Sequence, residues 1–194
     1  MYRRSLFLLA LPLLTACGIT GSLRVLPQNK AKPVTPSFDQ SFYYYDRDQT
    51  LFFVMRGTTT EAGKTEQQFL TIRVFWQPRG GVTTLDPSAI NATFRYAVLR
   101  PDALAMYEGA GFVRLKDSDP GDGTFNAVVV DSDLRLTQAS NSFVDTLGRA
   151  RIAGNFSAVY DDVKAVDLFQ TLQQEFFTRS LWAKPAATAS ATMP

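Results

Sequence analysis

The sequence predicts a mainly β fold: an antiparallel sandwich or partly open barrel of about eight strands with one C-terminal amphipathic helix. Two patterns point there. Several segments alternate apolar and polar residues with period two, and only the stretch from residue 161 to 182 shows helical spacing. A chain of 194 residues, 45% hydrophobic and 20% charged, is long enough for one domain with a substantial core. The composition also excludes chemistry. There is no histidine, and Cys17 is the only cysteine. Ser-His-Asp and Cys-His catalytic groups, the usual zinc sites and an intrachain disulfide are therefore ruled out.

In chain order, residues 42–45 and 51–56 are aromatic-rich runs joined by Asp46-Arg47-Asp48-Gln49, the pattern of a hairpin. Residues 58–67 read as a polar loop around Gly63. From 69 to 76, Leu70, Ile72, Val74 and Trp76 share one face, with Thr71 and Arg73 on the other. Residues 93–99 repeat this, with Phe94, Tyr96 and Val98 opposed to Arg95. Two short strands, 104–107 and 112–115, are expected to flank a turn at Gly109-Ala110-Gly111. A longer strand sets Val128, Val130, Leu134 and Leu136 against Asp131, Asp133 and Arg135. The longest alternation, 149–160, turns Ala150, Ile152, Gly154, Phe156, Ala158 and Tyr160 inward and Arg149, Arg151, Asn155 and Ser157 outward. Gly154 within it signals a bulge or a closely packed neighbour.

Asp161-Asp162 suits the positive N-terminal end of the one convincing helix. Val163, Val166, Phe169, Leu172, Phe176 and Phe177 form its apolar face. The helix is expected to cover the apolar side of the sheet or to plug an open barrel.

The N-terminus reads as an address. A short basic start with Arg3 and Arg4 precedes the apolar run 6–14, about half the ~20 residues of a spanning helix and interrupted by Pro12. Leu14-Thr15-Ala16-Cys17 then resembles the lipobox of the bacterial lipoprotein signal, whose pattern is a Leu, two small residues and a Cys. The resemblance covers the first eighteen residues and implies cleavage before Cys17, a diacylglycerol on its thiol and an acylated new amino group. Such acyl chains together exceed the single chain that holds a protein only marginally on a membrane. Gly18, where the inner-membrane retention signal carries Asp, favours the outer membrane of a Gram-negative source.

The expected organisation follows: 1–16 signal peptide, 17–38 lipidated N-terminus and flexible tether, 39–183 a single β-rich domain with its helix, and 184–194 a disordered low-complexity tail. A flexible tether of this length would reach roughly 25 Å. Of the 20 basic residues, Arg3 and Arg4 belong to the signal; without them basic and acidic residues balance at 18 each. Net charge therefore gives no case for nucleic acid.

Candidate sites remain. Arg73, Arg95, Arg135, Arg149 and Arg151 all point away from the apolar face of their strands and could meet lipid head groups or anionic cell-wall polymers. With Asp131 and Asp133 on the same side, a mixed solvated face is the plainer alternative. Asp117, Asp119 and Asp122 have the acidic density of a calcium loop, but Gly121 and Val128 stand at ligand positions, which favours a polar turn. Glu108, Asp131 and Asp133 are the acids that a carboxylate-dependent hydrolase could use. Gly63-Lys64-Thr65 lacks the spacing of a phosphate loop, since five residues separate Gly57 and Gly63. Tyr43-Tyr44-Tyr45 and Phe75-Trp76 could stack sugars, or serve as core.

The resulting expectation is a lipid-anchored, non-enzymatic structural or binding module of the bacterial cell envelope, with no cofactor. Its partners would be the membrane, through Cys17, and an envelope protein or cell-wall component. The alternatives are a carrier of a lipid-like ligand held between sheet and helix, and a carboxylate-dependent hydrolase.

Overall fold

A computed structural model describes residues 21–29, 31–61, 63–75, 90–116 and 123–180. The signal segment with Cys17, Trp76, the acidic loop of Asp117, Asp119 and Asp122, and the tail 184–194 lie outside the described residues.

The alternating segments pair as a meander. In order they are β1 (Arg24–Pro27), β2 (Gln40–Tyr45), β3 (Leu51–Glu61), β4 (Lys64–Val74), β5 (Ala92–Leu99), β6 (Leu104–Leu115), β7 (Thr124–Ala139), β8 (Ala150–Tyr160) and the helix α1 (Asp162–Ser180). From β2 to β8 each strand is antiparallel to the next. The ring then closes through a parallel contact, with Phe42 opposite Val159 and Tyr43 opposite Tyr160. An odd-numbered meander must close this way, because its first and last strands run in the same direction. The fold is thus mainly β, with eight strands and a C-terminal helix. The sheet is neither a sandwich nor partly open: seven strands form a closed barrel, and β1 pairs with β8 outside the ring.

A ring this small leaves room only for its own side chains. Phe53, Phe94, Tyr96, Tyr107, Phe125 and Phe156 fill it and are almost entirely inaccessible. The rings meet edge to face, Phe53 with Phe156 at 5.0 Å and Tyr43 with Phe125 at 4.7 Å, the arrangement their quadrupoles favour. Tyr43 is thus core, and it is not a sugar platform. A second cluster lies outside the wall, where Ala165, Leu168, Leu172 and Phe176 of α1 cover Val54, Phe69, Ala97 and Met106. The helix therefore covers the barrel and does not plug it. Its buried stripe is rotated from the expected one: Val163 and Phe177 are largely exposed.

Three further expectations change. Residues 58–67 are no loop; β3 and β4 continue their pairing to Glu61 opposite Lys64. Gly109-Ala110-Gly111 is no turn either, because β6 runs straight through it. There the backbone of β7 crosses so closely that a Cβ on Gly109 would collide with the Asp133 carbonyl, and one on Gly111 with that of Asp131. On β7 the inward residues are Val129 and then Leu134, while Val130 is exposed. The pairing with β6 jumps between Phe112–Asp131 and Val113–Val129, so Val130 is a bulge residue that reverses the alternation. Ser132 spans the matching gap toward β8: its Oγ donates to Ile152 O at 2.9 Å and accepts from Ile152 N at 2.6 Å.

The described part of the expected tether is built into the body. β1 pairs Val25 with Ile152, Val34 bridges back to Val25, and Leu23 and Val25 are buried. Pro27 is tolerated because β1 lies at an edge. Gly154, as its position suggested, marks a close neighbour: at φ 128° it faces the Ser22 carbonyl, which a Cβ would strike.

Candidate functional site

The outward residues of β4 to β8 bring the predicted arginines onto one side of the barrel, in two arms. Glu108 of β6 links them, paired across the strands with Arg95 of β5 and Arg135 of β7.

The arm on β7 and β8 is densely ion-paired, with three arginines sharing two aspartates. Arg149 reaches Asp133 at 2.6 Å, with Arg135 at 3.6 Å from the same carboxylate, and Arg151 binds Asp131 at 2.7 Å. The hydrogen bond from Arg149 holds the Asp133 carboxyl below the usual carboxylate range, more than offsetting the opposing effect of burial. Asp131 and Asp133 thus face guanidinium groups, and Glu108 is in the same position, 2.7 Å from Arg95 Nε. Each acid considered for hydrolase chemistry has an arginine for a neighbour.

The other arm, on β4 and β5, forms the wall of a groove of about 450 Å³. Its register alternates charge and hydroxyl: Arg73 lies opposite Thr93, and Thr71 opposite Arg95. Directly opposed side chains stand about 5 Å apart at Cβ, so two guanidinium stems and two hydroxyls share one small patch. Phe52 of β3 and Phe169 of α1 also line the groove. Across the register Tyr44 stacks on Phe52 at 5.2 Å, and the Arg73 guanidinium sits 5.6 Å over the same ring. Arg73 is exposed and, among the described residues, is the one predicted arginine with no carboxylate partner.

Sequence reasoning placed Arg73 and Arg95 on the correct face but missed Phe52 and Phe169 as groove residues. The outward phase of Phe52 was readable; its stacking under Arg73 depends on the β3–β4 register, which no local pattern encodes.

Polar side chains also converge around Tyr96 and Tyr107 at one end of the barrel. Tyr96 Oη donates to Gln68 Oε1 at 3.1 Å, Gln68 to Glu66 at 2.6 Å, and Arg100 to Glu66 at 2.7 Å. Tyr107 Oη donates to Asp145 at 2.6 Å. Burial, with Glu66 adding to it, pushes the Tyr96 hydroxyl far above its ordinary value; burial and the Asp145 bond do the same to Tyr107. Burial would raise Asp145, but hydrogen bonds from Tyr107 and the amides of Gly148 and Leu147 outweigh it and hold this carboxyl low. Both tyrosines stay neutral and Asp145 charged, as suits a structural seal over the barrel end.

Among the described residues no group of three or more acidic or sulfur ligands could hold a metal ion, and no helix is long and apolar enough to cross a membrane. No protein-family model, curated protein or solved structure matches the chain.

Proposed function

We propose that the chain is a lipid-anchored protein of the bacterial cell envelope, held through Cys17, whose barrel is a non-enzymatic binding module. The observation that carries the binding-module half is the filled barrel. Its interior is occupied by its own aromatic and aliphatic side chains, and the layer between sheet and helix by Leu168, Leu172, Phe176 and their partners. A carrier would need an apolar cavity of roughly 300 Å³ or more. The cavity near Leu23, Phe38, Met55 and Phe156 measures about 220 Å³, and the larger groove of about 450 Å³ is lined by Arg73, Arg95, Glu108, Thr71 and Thr93 beside its aromatic residues. A hydrolase would need two or three acids converging on one cleft, whereas of Glu108, Asp131 and Asp133 only Glu108 lines the groove.

The anchor rests on Leu14-Thr15-Ala16-Cys17 and the apolar run before it. Because the chain is hydrogen-bonded to β8 from Ser22 onward, the reach from Cys17 to the barrel is short. Five residues of extended chain span at most about 18 Å, so the body would stand at the membrane surface. Expression in a Gram-negative host with radiolabelled palmitate should label the wild type and leave Cys17→Ala unlabelled. Labelling that persists in the variant excludes the anchor. Native mass spectrometry of the purified protein should find no lipid beyond that on Cys17; a stoichiometric second lipid would favour the carrier.

A further inference from the structure

The binding-module reading leaves the ligand open, and the groove on β4 and β5 narrows it. We propose that this groove binds a carboxylated sugar, a uronate-type residue of an acidic polysaccharide, with Arg73 on the carboxylate.

Charge comes first. Arg73 and Arg95 bring two positive charges to the groove and Glu108 one negative, so the site is complementary to a single negative charge. A phosphate monoester, which approaches two, fits that balance less well, whereas a phosphodiester matches it and is the competing ligand. Geometry comes next. Arg95 already spends its Nε on Glu108, whereas Arg73 lies on the Phe52 ring with no carboxylate partner among the described residues. A guanidinium without an ion-pair partner keeps its planar fork for a ligand, which suits two parallel hydrogen bonds to a carboxylate.

The remaining groove chemistry is that of a sugar site. Thr71 and Thr93 offer hydroxyls that donate or accept. Glu108, held in place by Arg95, supplies an acceptor for ligand hydroxyls. Phe169 provides aromatic surface for the apolar face of a ring, Phe52 being flanked by Tyr44 and Arg73. A volume of about 450 Å³ is ample for a short saccharide segment. The β7–β8 arm has none of this, because each of its arginines already faces an aspartate.

The test is isothermal titration calorimetry on the full-length protein in detergent, with oligogalacturonate, its neutral methyl ester and a glycerol-phosphate oligomer as probes. Oligogalacturonate should bind, and the methyl ester should bind at least roughly tenfold more weakly. Arg73→Gln should weaken oligogalacturonate binding about 10- to 100-fold, and Arg73→Lys should restore little, since an ammonium has no fork. Arg151→Gln, on the ion-paired β7–β8 arm, should leave binding unchanged. Both Arg73 variants should fold normally, because this exposed side chain has no ion pair to lose; melting curves check that. Absence of oligogalacturonate binding, equal binding of the methyl ester, or an unaffected Arg73→Gln overturns the proposal. Glycerol phosphate binding as tightly as the uronate overturns the carboxylate assignment. None of these outcomes bears on palmitate labelling of Cys17, so this site and the anchor fail separately.

Discussion

The two arms of the arginine face use the same residue for different ends. On β7 and β8, Arg135, Arg149 and Arg151 have Asp131 and Asp133 within ion-pair distance. On β4 and β5, Arg73 and Arg95 have threonines across the strand, and a single carboxylate, Glu108, pairs with Arg95 alone. Each arm carries one more arginine than carboxylate, but every arginine of the first is ion-paired. In the second, Arg73 lies beside aromatic surface with no carboxylate partner among the described residues. A basic residue on a barrel wall thus says little about ligands until its cross-strand partners are known.

The largest test strikes the junction between the arms. Gly109→Val would drive a branched side chain into the Asp133 carbonyl where β6 and β7 cross, collapsing both arms together. A destabilisation of about 3 kcal/mol or more is expected in urea denaturation, and a near-neutral result would mean that the crossing is loose.

Ser132→Ala should act on one arm only. It removes both hydrogen bonds to the Ile152 backbone, beneath Asp131 and Asp133, at a cost of about 1–3 kcal/mol. Faster amide exchange confined to β7 and β8, with β4 and β5 protected as before, would sharpen the contrast between the arms.

Acid should separate them more gently. The folded Asp133 carboxyl is held low, chiefly by Arg149, so its contribution is present above the ordinary carboxylate pKa and fades as pH falls through the lowered value. Asp145 behaves alike at the barrel end, through Tyr107 and the loop amides. Asp133→Asn and Asp145→Asn should each flatten the acid limb of a stability–pH curve and leave its alkaline side unchanged. Parallel acid limbs in wild type and variants would refute both assignments.

The smallest effect on stability is expected at Arg73. With no carboxylate to lose, Arg73→Gln should shift unfolding by no more than about 0.5 kcal/mol. A larger loss would show that Arg73 belongs with the structural arm.

Much of this arrangement was visible in the chain. The faces of β4, β5 and β8 follow from alternation alone: Ile72, Phe94 and Ile152 are buried, while Arg73, Arg95 and Arg151 point outward. Other features escaped for identifiable reasons. β1 is only four residues long, too short to establish a period, and owes its place to the edge of β8. Val130 broke the alternation of β7 because a bulge adds a residue without any signature in the local composition. The two glycines of β6 resembled a turn, yet they mark where another strand passes. On α1 the hydrophobic pattern suited a broad face, and only contact with the barrel selected Ala165, Leu168, Leu172 and Phe176 as the buried stripe.

By itself the sequence determined the β character, the outward placement of the five arginines, the single C-terminal helix and the absence of histidine chemistry. These depend on side-chain period and composition, which are local. Tertiary structure alone decided the closure of β8 on β2, the filling of the barrel and which arginines found carboxylates. Those outcomes depend on register between strands distant in the chain, where a shift of one residue exchanges every partner.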